Sequence, residues 1–426
     1  MVRFMAGRPR TDPRCSPLPL RRRWRILRAP MNAKLRSYRP FVLFGFAFLL
    51  FVQAMLLFNL RAGARGHADF RQLYTAGFMV RTGQGAEIYD YDSTSKYENQ
   101  VAGAEGAALP FNHLAFEALL FAPFSFVGYR TAYFLLAGLN AALMAGCFLL
   151  WRHRLQPLRE IWSMLPVLVI AAFTPFAATM VQGQDSLLLT LLFALAAILL
   201  DDGRDLLAGM VLALALFKFQ FVLPVILLFI AWKKWKLVGG FLAGATGVAG
   251  VSISVVGRAA SWSYLHSLWG MSARLSPSGR DAYGIHPELM ANLRGLCFAL
   301  FDKTFGNHTV QVATLIASLA VVLWACKQKP CFSLAVIVAI LVSYHCYLYD
   351  LALLIAAIAP AVPDLVRRQR MAWVSIVYIS PAAGFAWGVP YWILPMAFLG
   401  FLAELNAPHE TLPNTVPRSG GAAPPS

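Results

Sequence analysis

Apolar runs close to twenty residues long recur along most of this chain, and short polar breaks separate them. A run of that length lets an α-helix cross a bilayer while satisfying its own backbone hydrogen bonds. Hydrophobic residues make up 58% of the chain and charged residues only 13%, about half the charged share of a soluble protein. The sequence therefore predicts an all-α polytopic membrane protein with roughly 11–13 transmembrane helices.

The apolar runs give the positions of the predicted spans. One of them, over residues 206–232, allows two interpretations: one long helix bent at Pro224, or two half-length helices that meet at Lys218. The predicted spans are residues 41–60, 113–127, 131–151, 161–180, 186–201, 206–232, 237–256, 308–325, 331–348, 351–363, 371–388 and 389–404.

The net charge of +17 comes from basic clusters that flank the apolar runs. Such clusters mark the cytoplasmic ends of membrane helices and can bind anionic lipid headgroups. No basic and aromatic stripe lies apart from these junctions, so nucleic acid is not an expected partner. The clusters are RRRWRILR near the start and residues 152–159, 233–236, 327–329 and 367–370.

The charge pattern leaves one topological conflict. Two crossings between the first external loop and RHRLQPLRE, at residues 152–160, would place that basic segment outside. Either this segment is an exception, or residues 113–151 do not make two clean crossings. Elsewhere the pattern predicts two long external segments, residues 61–112 and 257–307.

Outside the membrane domain, both termini have the composition of disordered chain. We predict a basic, disordered cytoplasmic arm over residues 1–38, a transmembrane domain over 39–405 and a disordered tail over 406–426.

Asp69 is the first candidate for chemistry, because it follows the first span by only nine residues. A carboxylate at that depth is partly desolvated and can take a proton from a hydroxyl. The alternative is that Asp69 caps the amphipathic helix predicted to follow it. The residues alone leave both interpretations open.

Asp90 and Asp92, in the sequence YDYD, resemble a metal-binding D-x-D motif. Two carboxylates in an extended turn can hold a divalent ion, but so short a match arises often by chance. We expect neither a metal ion nor a cofactor.

Polar side chains inside apolar runs are costly and often mark function. Lys218 could face a cavity and pair with an anion such as a lipid phosphate, or it could extend to the membrane interface. His345 could simply be an interhelical hydrogen-bond donor. The polar residues of this kind are Gln182, Gln184, Asp185, Lys218, His345, Tyr347, Tyr349 and Asp350.

Several motifs, taken in order, resemble glycosyltransferase family 87, which has the GT-C membrane fold. The likeness runs over roughly residues 40–405. The chain departs from the family at Asn112, His113 and Leu114, where the family usually has Tyr-Pro-Pro, and at Tyr344, where it has Pro before the His. The motifs are DFRQLYTAG, GQGAEIYDYD, LPFNHLAFEALLFAPF, QGQDSLLLTLLFALAAILL, GRDLLAGMVLALALFKFQFVLPVILLFIAWKKWK, MANLRGL and SYHCYLYDLALL.

The resemblance implies an inverting membrane glycosyltransferase that takes mannose or arabinofuranose from a polyprenyl-phosphate donor. It implies a lipid or glycan acceptor at the extracytoplasmic face of a bacterial plasma membrane, with Asp69 as general base. The implied phosphate-binding residues are Lys218, Arg294, Arg274 and Arg280. The implied substrate-binding residues are Tyr74, Gln184, His345, Asp350 and His113.

A transporter or flippase that binds a polar lipid without chemistry is the competing interpretation. Buried polar residues such as Lys218 and His345 suit it equally well. The long external segments and the lack of a visible internal repeat favour the enzyme. An inactive scaffold that retains the fold is a third possibility.

Overall fold

A computed structural model describes residues 39–103, 108–273, 285–368, 370–388 and 390–406. The predicted arm over 1–38 lies outside these residues, and so does the predicted tail beyond Asn406. Within the described ranges the chain is helical and contains no β-strand. The helices of seven residues or more are α1 Arg39–Leu57, α2 Phe70–Arg81, α3 Tyr91–Ala102, α4 Ala115–Phe121, α5 Tyr129–Trp151, α6 Leu165–Ala171, α7 Thr174–Gln182, α8 Ser186–Asp201, α9 Asp205–Leu214, α10 Phe219–Ala231, α11 Trp235–Ala273, α12 Leu293–Cys326, α13 Phe332–Val342, α14 Leu354–Arg367, α15 Ala372–Trp387 and α16 Leu394–Asn406.

Six helical stretches of the described chain are long and apolar enough to cross a membrane, judged by length and composition. Five shorter apolar helices accompany them, including Ala115–Phe126, Ser186–Asp201 and Phe332–Val342. The prediction of an all-α polytopic membrane protein is thereby confirmed. The six stretches are Arg39–His67, Tyr129–Trp151, Leu165–Gln182, Asp205–Ala231, Trp235–His266 and Leu293–Cys326.

Helices α13 and α14 form the centre of the bundle. Every residue from Ser333 to Leu341 is buried, and α14 is buried over most of its length. A helix that is apolar all round, as α13 is, must be covered on every side. It packs against α10, α12, α14 and α16, while α14 also contacts α8.

The predicted span 206–232 is broken at Lys218, as the second of the two interpretations had it. A 3-10 turn over Ala215–Lys218 follows α9, and Lys218 itself has φ −116° and ψ 60°, which is not helical. Pro224 lies inside α10 without ending it.

The two halves of this span form a hairpin. Leu206 lies beside Gly240 and Ala213 beside Gly244, so α9 and α11 run in parallel and start at the same side of the bundle. The intervening α10 must therefore return the chain from the Lys218 end to that side.

The topological conflict at residues 152–160 is resolved by α4. With its 3-10 extension, the helix Ala115–Phe126 is 12 residues long, or about 18 Å, whereas the hydrocarbon core is about 30 Å thick. Only α5 is then long enough, by length and composition, to cross between residues 61–112 and the basic segment. In addition, Arg154 of that segment forms an ion pair with Asp201 at the end of α8.

Close packing of α9 on α11 depends on glycine. A Cβ atom added at Gly240 would collide with the backbone of Leu206, while one added at neighbouring Gly239 would meet nothing within 4 Å. Small residues allow helix backbones to approach in membranes, where lipid provides no hydrophobic drive for association.

We expect Gly240→Ala to destabilise the protein by about 1–3 kcal/mol, because the helices must separate to admit the methyl group. Thermal unfolding in detergent measures the effect. Gly239→Ala is the matched control, and alanine's better helix propensity should leave its melting temperature unchanged or higher. Equal melting temperatures for the two variants would contradict the close packing.

Candidate active site

One cavity of about 360 Å³ collects most of the polar residues that the sequence analysis identified. It lies where α2 begins, where α7 turns into α8, at the α9–α10 break and beside the turn after α13. One part of its wall is polar and another is apolar. The lining residues are Asp69, Gln72, Leu109, Pro110, Asn112, His113, Gln184, Phe217, Lys218, Phe219, Gln220, Leu268, Ile285, Tyr344, His345, Tyr347, Tyr349 and Asp350.

Asp69 precedes α2 but does not cap it. Its side chain makes no capping hydrogen bond; instead Oδ2 accepts one from Nε2 of Gln184 at 3.0 Å. The carboxylate faces the cavity and is half-buried. Burial raises the pKa of Asp69 above its usual range, and hydrogen bonds to Gln184 and Tyr349 oppose that rise. The capping interpretation of this side chain is therefore wrong.

A glycine turn brings Gln184 to Asp69. Gly183 ends α7 with φ 60°, a left-handed conformation that favours glycine, and a Cβ atom there would collide with Phe70. The same turn places Gln182 where its Oε1 accepts the backbone N–H of Asp69 at 3.4 Å.

Lys218 is buried and paired. Its side chain is 3% exposed, so it does not extend to an interface. Nζ donates to Oδ1 of Asp350 at 2.6 Å and to Oγ of Ser186 at 2.8 Å, and it lies 3.4 Å from Oδ1 of Asp185. The first of the two predicted alternatives supposed that a ligand anion completes the pairing of a buried Lys218. The structure removes that premise, since two carboxylates already do so.

Lys218 also fixes the orientation of Gln184. Nζ lies 3.4 Å from Oε1 of Gln184 and can only donate to it. The amide nitrogen of Gln184 must then face Asp69, whose carboxylate can only accept. The lysine thus orients Asp69 through one intervening side chain.

The turn after α13 carries His345 into the cavity wall, and the MANLRGL segment holds that turn from behind. Nδ2 of Asn292 donates to the carbonyl of Ser343 at 2.6 Å, and Arg294 donates to the carbonyl of Tyr344 at 3.1 Å. Arg294 is buried and also stacks on the Tyr344 ring. It supports the turn and does not line the cavity.

Two acidic residues, Glu117 and Asp185, lie behind the part of the cavity wall that His113 forms. Nδ1 of His113 is 2.8 Å from Oε2 of Glu117, which is fully buried. The Glu117 carboxyl group is within hydrogen-bonding reach of Asp185. Burial lowers the pKa of His113 to about 4, against the nearby negative charge of Asp185, so this imidazole is neutral at neutral pH.

Several predicted residues do not reach the cavity. Tyr74 is buried, and its hydroxyl donates to the carbonyl of Val127 at 2.8 Å, which ties α2 to the turn after α4. Arg294 lies behind the turn just described. Arg274 and Arg280 fall outside the described residues.

The sequence analysis also missed residues that do line the cavity or stand directly behind it. Glu117 had a readable signal, because it is a charged residue within the apolar run LAFEALLF. Gln72, Asn112 and Gln220 had none, since single amides are common in loops and at helix ends.

Asp90 has a structural role. Its side chain accepts the backbone N–H of Ser93 at 2.8 Å and so caps α3. No group of three or more metal-ligating side chains was found in the described part of the chain.

The cavity can hold a hydroxyl against a carboxylate. Asp69 is the acid of the wall whose carboxylate is not paired with Lys218, and it lines the cavity beside Gln184. Phe217, Phe219 and Ile285 offer an apolar surface on the same cavity. This arrangement suits a substrate with both polar and apolar parts.

A family model described as glycosyltransferase family 87 matches residues 115–347. The matched range contains His113's partner Glu117, Lys218 and His345, and it begins after Asp69. Comparison with curated proteins and with solved structures gave no match.

Proposed function

This chain belongs to glycosyltransferase family 87, since the match covers more than half of it, and we propose that its sugar donor is a polyprenyl phosphate. The acceptor is a hydroxyl of a membrane lipid or glycan, and the sugar is mannose-like or arabinofuranose-like. The membrane setting and the mixed polar and apolar cavity support a donor of this kind.

The observation that carries the proposal is Asp69, a half-buried carboxylate that faces the cavity and is held by Gln184. In the proposed reaction the acceptor oxygen attacks the anomeric carbon as the bond to the phosphate oxygen breaks. Asp69 takes the hydroxyl proton, and the phosphate leaves with the bonding electrons. Displacement from the far side inverts the anomeric carbon, as in an inverting glycosidase with an alcohol in place of water.

Lys218 acts on this reaction chiefly through position. Its charge is already balanced by Asp350 and Asp185, so it orients Gln184 and, through it, Asp69. Because Lys218 also lines the cavity, its charge can stabilise a phosphate that gains negative charge as it leaves. His345, which lines the cavity, is a further candidate for contact with the phosphate, and so are Arg274 and Arg280 by the family resemblance.

We place the cavity at the extracytoplasmic face of the plasma membrane. Arg154 of the basic segment at 152–160 forms an ion pair with Asp201, which ends α8 just before α9 begins at Asp205. Helix α11 begins beside α9. Basic residues 233–236 therefore share a side with 152–160, which the charge rule makes cytoplasmic. The Lys218 end of the α9–α10 hairpin is then at the opposite side.

Purified protein supplied with a panel of polyprenyl-phosphate sugars and a membrane lipid extract tests the proposal. We expect one donor to give a glycosylated product that mass spectrometry identifies. If no member of the panel is consumed, the polyprenyl-phosphate donor is wrong.

The rate should fall as pH decreases through the pKa of Asp69, because only the ionised carboxylate accepts a proton. Since burial raises that pKa, the acid limb of kcat/KM should lie above the ordinary range of an aspartate, which is about pH 4. A pH–rate profile measures it. Full activity down to about pH 4 would contradict a buried base.

Transfer should not require a divalent ion. The leaving group is a single phosphate, and Asp90 is engaged as a helix cap. We expect EDTA to leave the rate unchanged. Loss of activity that Mg²⁺ or Mn²⁺ restores would return attention to Asp90 and Asp92.

A further inference from the structure

The cavity wall contains a second group able to bind a hydroxyl, apart from Asp69. It consists of His113, which lines the cavity, and two acids behind it, Glu117 and Asp185. The two acids are 0% and 3% exposed, and apart from the ion-pair contact of Asp185 with Lys218 at 3.4 Å, no described residue donates an aligned hydrogen bond to their carboxyl oxygens. Buried polar atoms without partners are rare and call for an explanation.

Protons shared between neighbouring groups explain how these buried acids are stabilised. The Glu117 and Asp185 carboxyl groups lie within hydrogen-bonding reach, and two ionised carboxylates cannot remain so close in a buried site. One proton between them gives each acid a partner. Likewise, Nδ1 of His113 lies 2.8 Å from Oε2 of Glu117 without an aligned hydrogen bond, and two lone pairs would repel at that distance, so one of the two atoms must carry a proton.

One arrangement of these protons gives each buried acid a partner. Lys218 supplies one positive charge and Asp350 one negative charge, at 2.6 Å. If Asp185 and Glu117 together hold one proton, Glu117 can accept a second hydrogen bond from Nδ1–H of a neutral His113. The other ring nitrogen, Nε2, then has a free lone pair on the cavity side.

We propose that the Glu117–Asp185 pair fixes His113 as a hydroxyl-binding residue, whose Nε2 accepts a hydrogen bond from a substrate hydroxyl. This inference rests on the proposed function, because it assigns one hydroxyl of that reaction's sugar donor or acceptor. This contact belongs to one cavity-lining residue of this chain. It would make His113 a determinant of which sugar or acceptor is used.

Two substitutions at His113 separate this role from a packing role. The carboxamide of His113→Gln reaches the position of Nε2, whereas that of His113→Asn reaches only the position of Nδ1. We expect His113→Asn to lower kcat/KM by about tenfold or more, and His113→Gln to recover most of the loss. Both variants should be checked for unchanged melting temperature in detergent.

The two possible sources of the hydroxyl are distinguished by which KM changes. The measurements use the polyprenyl-phosphate sugar that the wild-type protein consumes, polyprenyl-phosphate mannose and arabinofuranose being tried first, with the acceptor varied separately. A higher KM for the donor assigns the hydroxyl to the sugar, and a higher KM for the acceptor assigns it to the acceptor. Either result supports the proposal.

His286→Asn is the matched control. His286 also lies near a glutamate, Glu288, at 3.3 Å, but its side chain is 43% exposed and it does not line the cavity. We expect its kinetics to match the wild type.

Three results would overturn the inference. The first is a His113→Asn variant within about twofold of wild-type kcat/KM, and the second is an equal loss for the Asn and Gln variants. In both cases the wild type is active, so the proposed function survives. The third is a wild type that consumes no donor, which overturns both proposals.

Discussion

Replacing Asp69 with asparagine is expected to lower the rate of sugar transfer by about a hundredfold or more. Asparagine cannot accept the hydroxyl proton, yet its side-chain oxygen can still accept the hydrogen bond from Gln184. The fold and donor binding should therefore persist, and kcat should fall much more than KM rises. Initial rates with a labelled donor, together with donor binding, measure both quantities.

Asp92→Asn is the matched control for this result, because Asp92 is an exposed acid of the same segment between α1 and α4. Its activity should equal that of the wild type. An Asp69→Asn variant that keeps more than about a tenth of the wild-type turnover would remove Asp69 from the role of base.

Lys218→Met should be among the most destabilising single substitutions in the chain, at about 3–5 kcal/mol. Methionine fills similar space but leaves Asp350 and Asp185 buried without a counter-charge. It also frees Gln184 to rotate, so transfer should be lost in whatever protein folds. Thermal unfolding in detergent and initial rates measure the two effects, with exposed Lys236→Met as the control.

A double variant shows whether the ion pair is the cause. Asp350→Asn alone removes the partner 2.6 Å from Lys218 and should also destabilise. If the pair acts as a unit, Lys218→Met with Asp350→Asn should be less destabilised than the sum of the single variants. Simple additivity would mean that Lys218 stabilises the fold in some other way.

Helix positions in this protein were predictable from hydrophobic runs, because each buried or lipid-facing helix must be apolar over most of its length. The predicted span 186–201 coincides with α8, and 131–151 differs from α5 by two residues at the start. The predicted span 308–325 agrees less well with its helix, α12. Its helix begins at Leu293 and bends at Gly306, within a segment too polar to resemble a span.

The hairpin at Lys218 was predictable only as an alternative. Its sequence, ALFKFQ, contains no glycine or proline, so local propensity does not indicate a break. The break is stabilised by contacts of Lys218 with Ser186 and Asp350, which are 32 and 132 residues away in sequence. Contacts at such separations leave no periodic pattern to read.

Some residues of the candidate site were predictable from the sequence and others were not. Asp69, Gln184 and His345 were identifiable as polar residues beside apolar runs, and the cavity brings them together. Arg294 and Tyr74 have the right chemistry for a substrate, but their partners are backbone carbonyls of neighbouring turns. Residue type alone does not distinguish a side chain that binds a ligand from one that holds a loop.

Glu117 is a residue that the sequence analysis missed although it adjoins the cavity. It was overlooked within a short apolar run, although a carboxylate there must find a partner. Its partners, His113 and Asp185, lie 4 residues away and across the bundle respectively. Only the three-dimensional arrangement shows that these residues adjoin the cavity.

The most direct test of the account is to count polyprenyl phosphate released from a doubly labelled donor by purified protein in lipid vesicles. A glycosyltransferase that uses this donor should release one polyprenyl phosphate for each sugar that appears on an acceptor, and Asp69→Asn should release almost none. A protein that only binds or moves polar lipids would carry the donor across the bilayer with its sugar still attached. Transport of intact donor without release, unaffected by Asp69→Asn, would contradict the account.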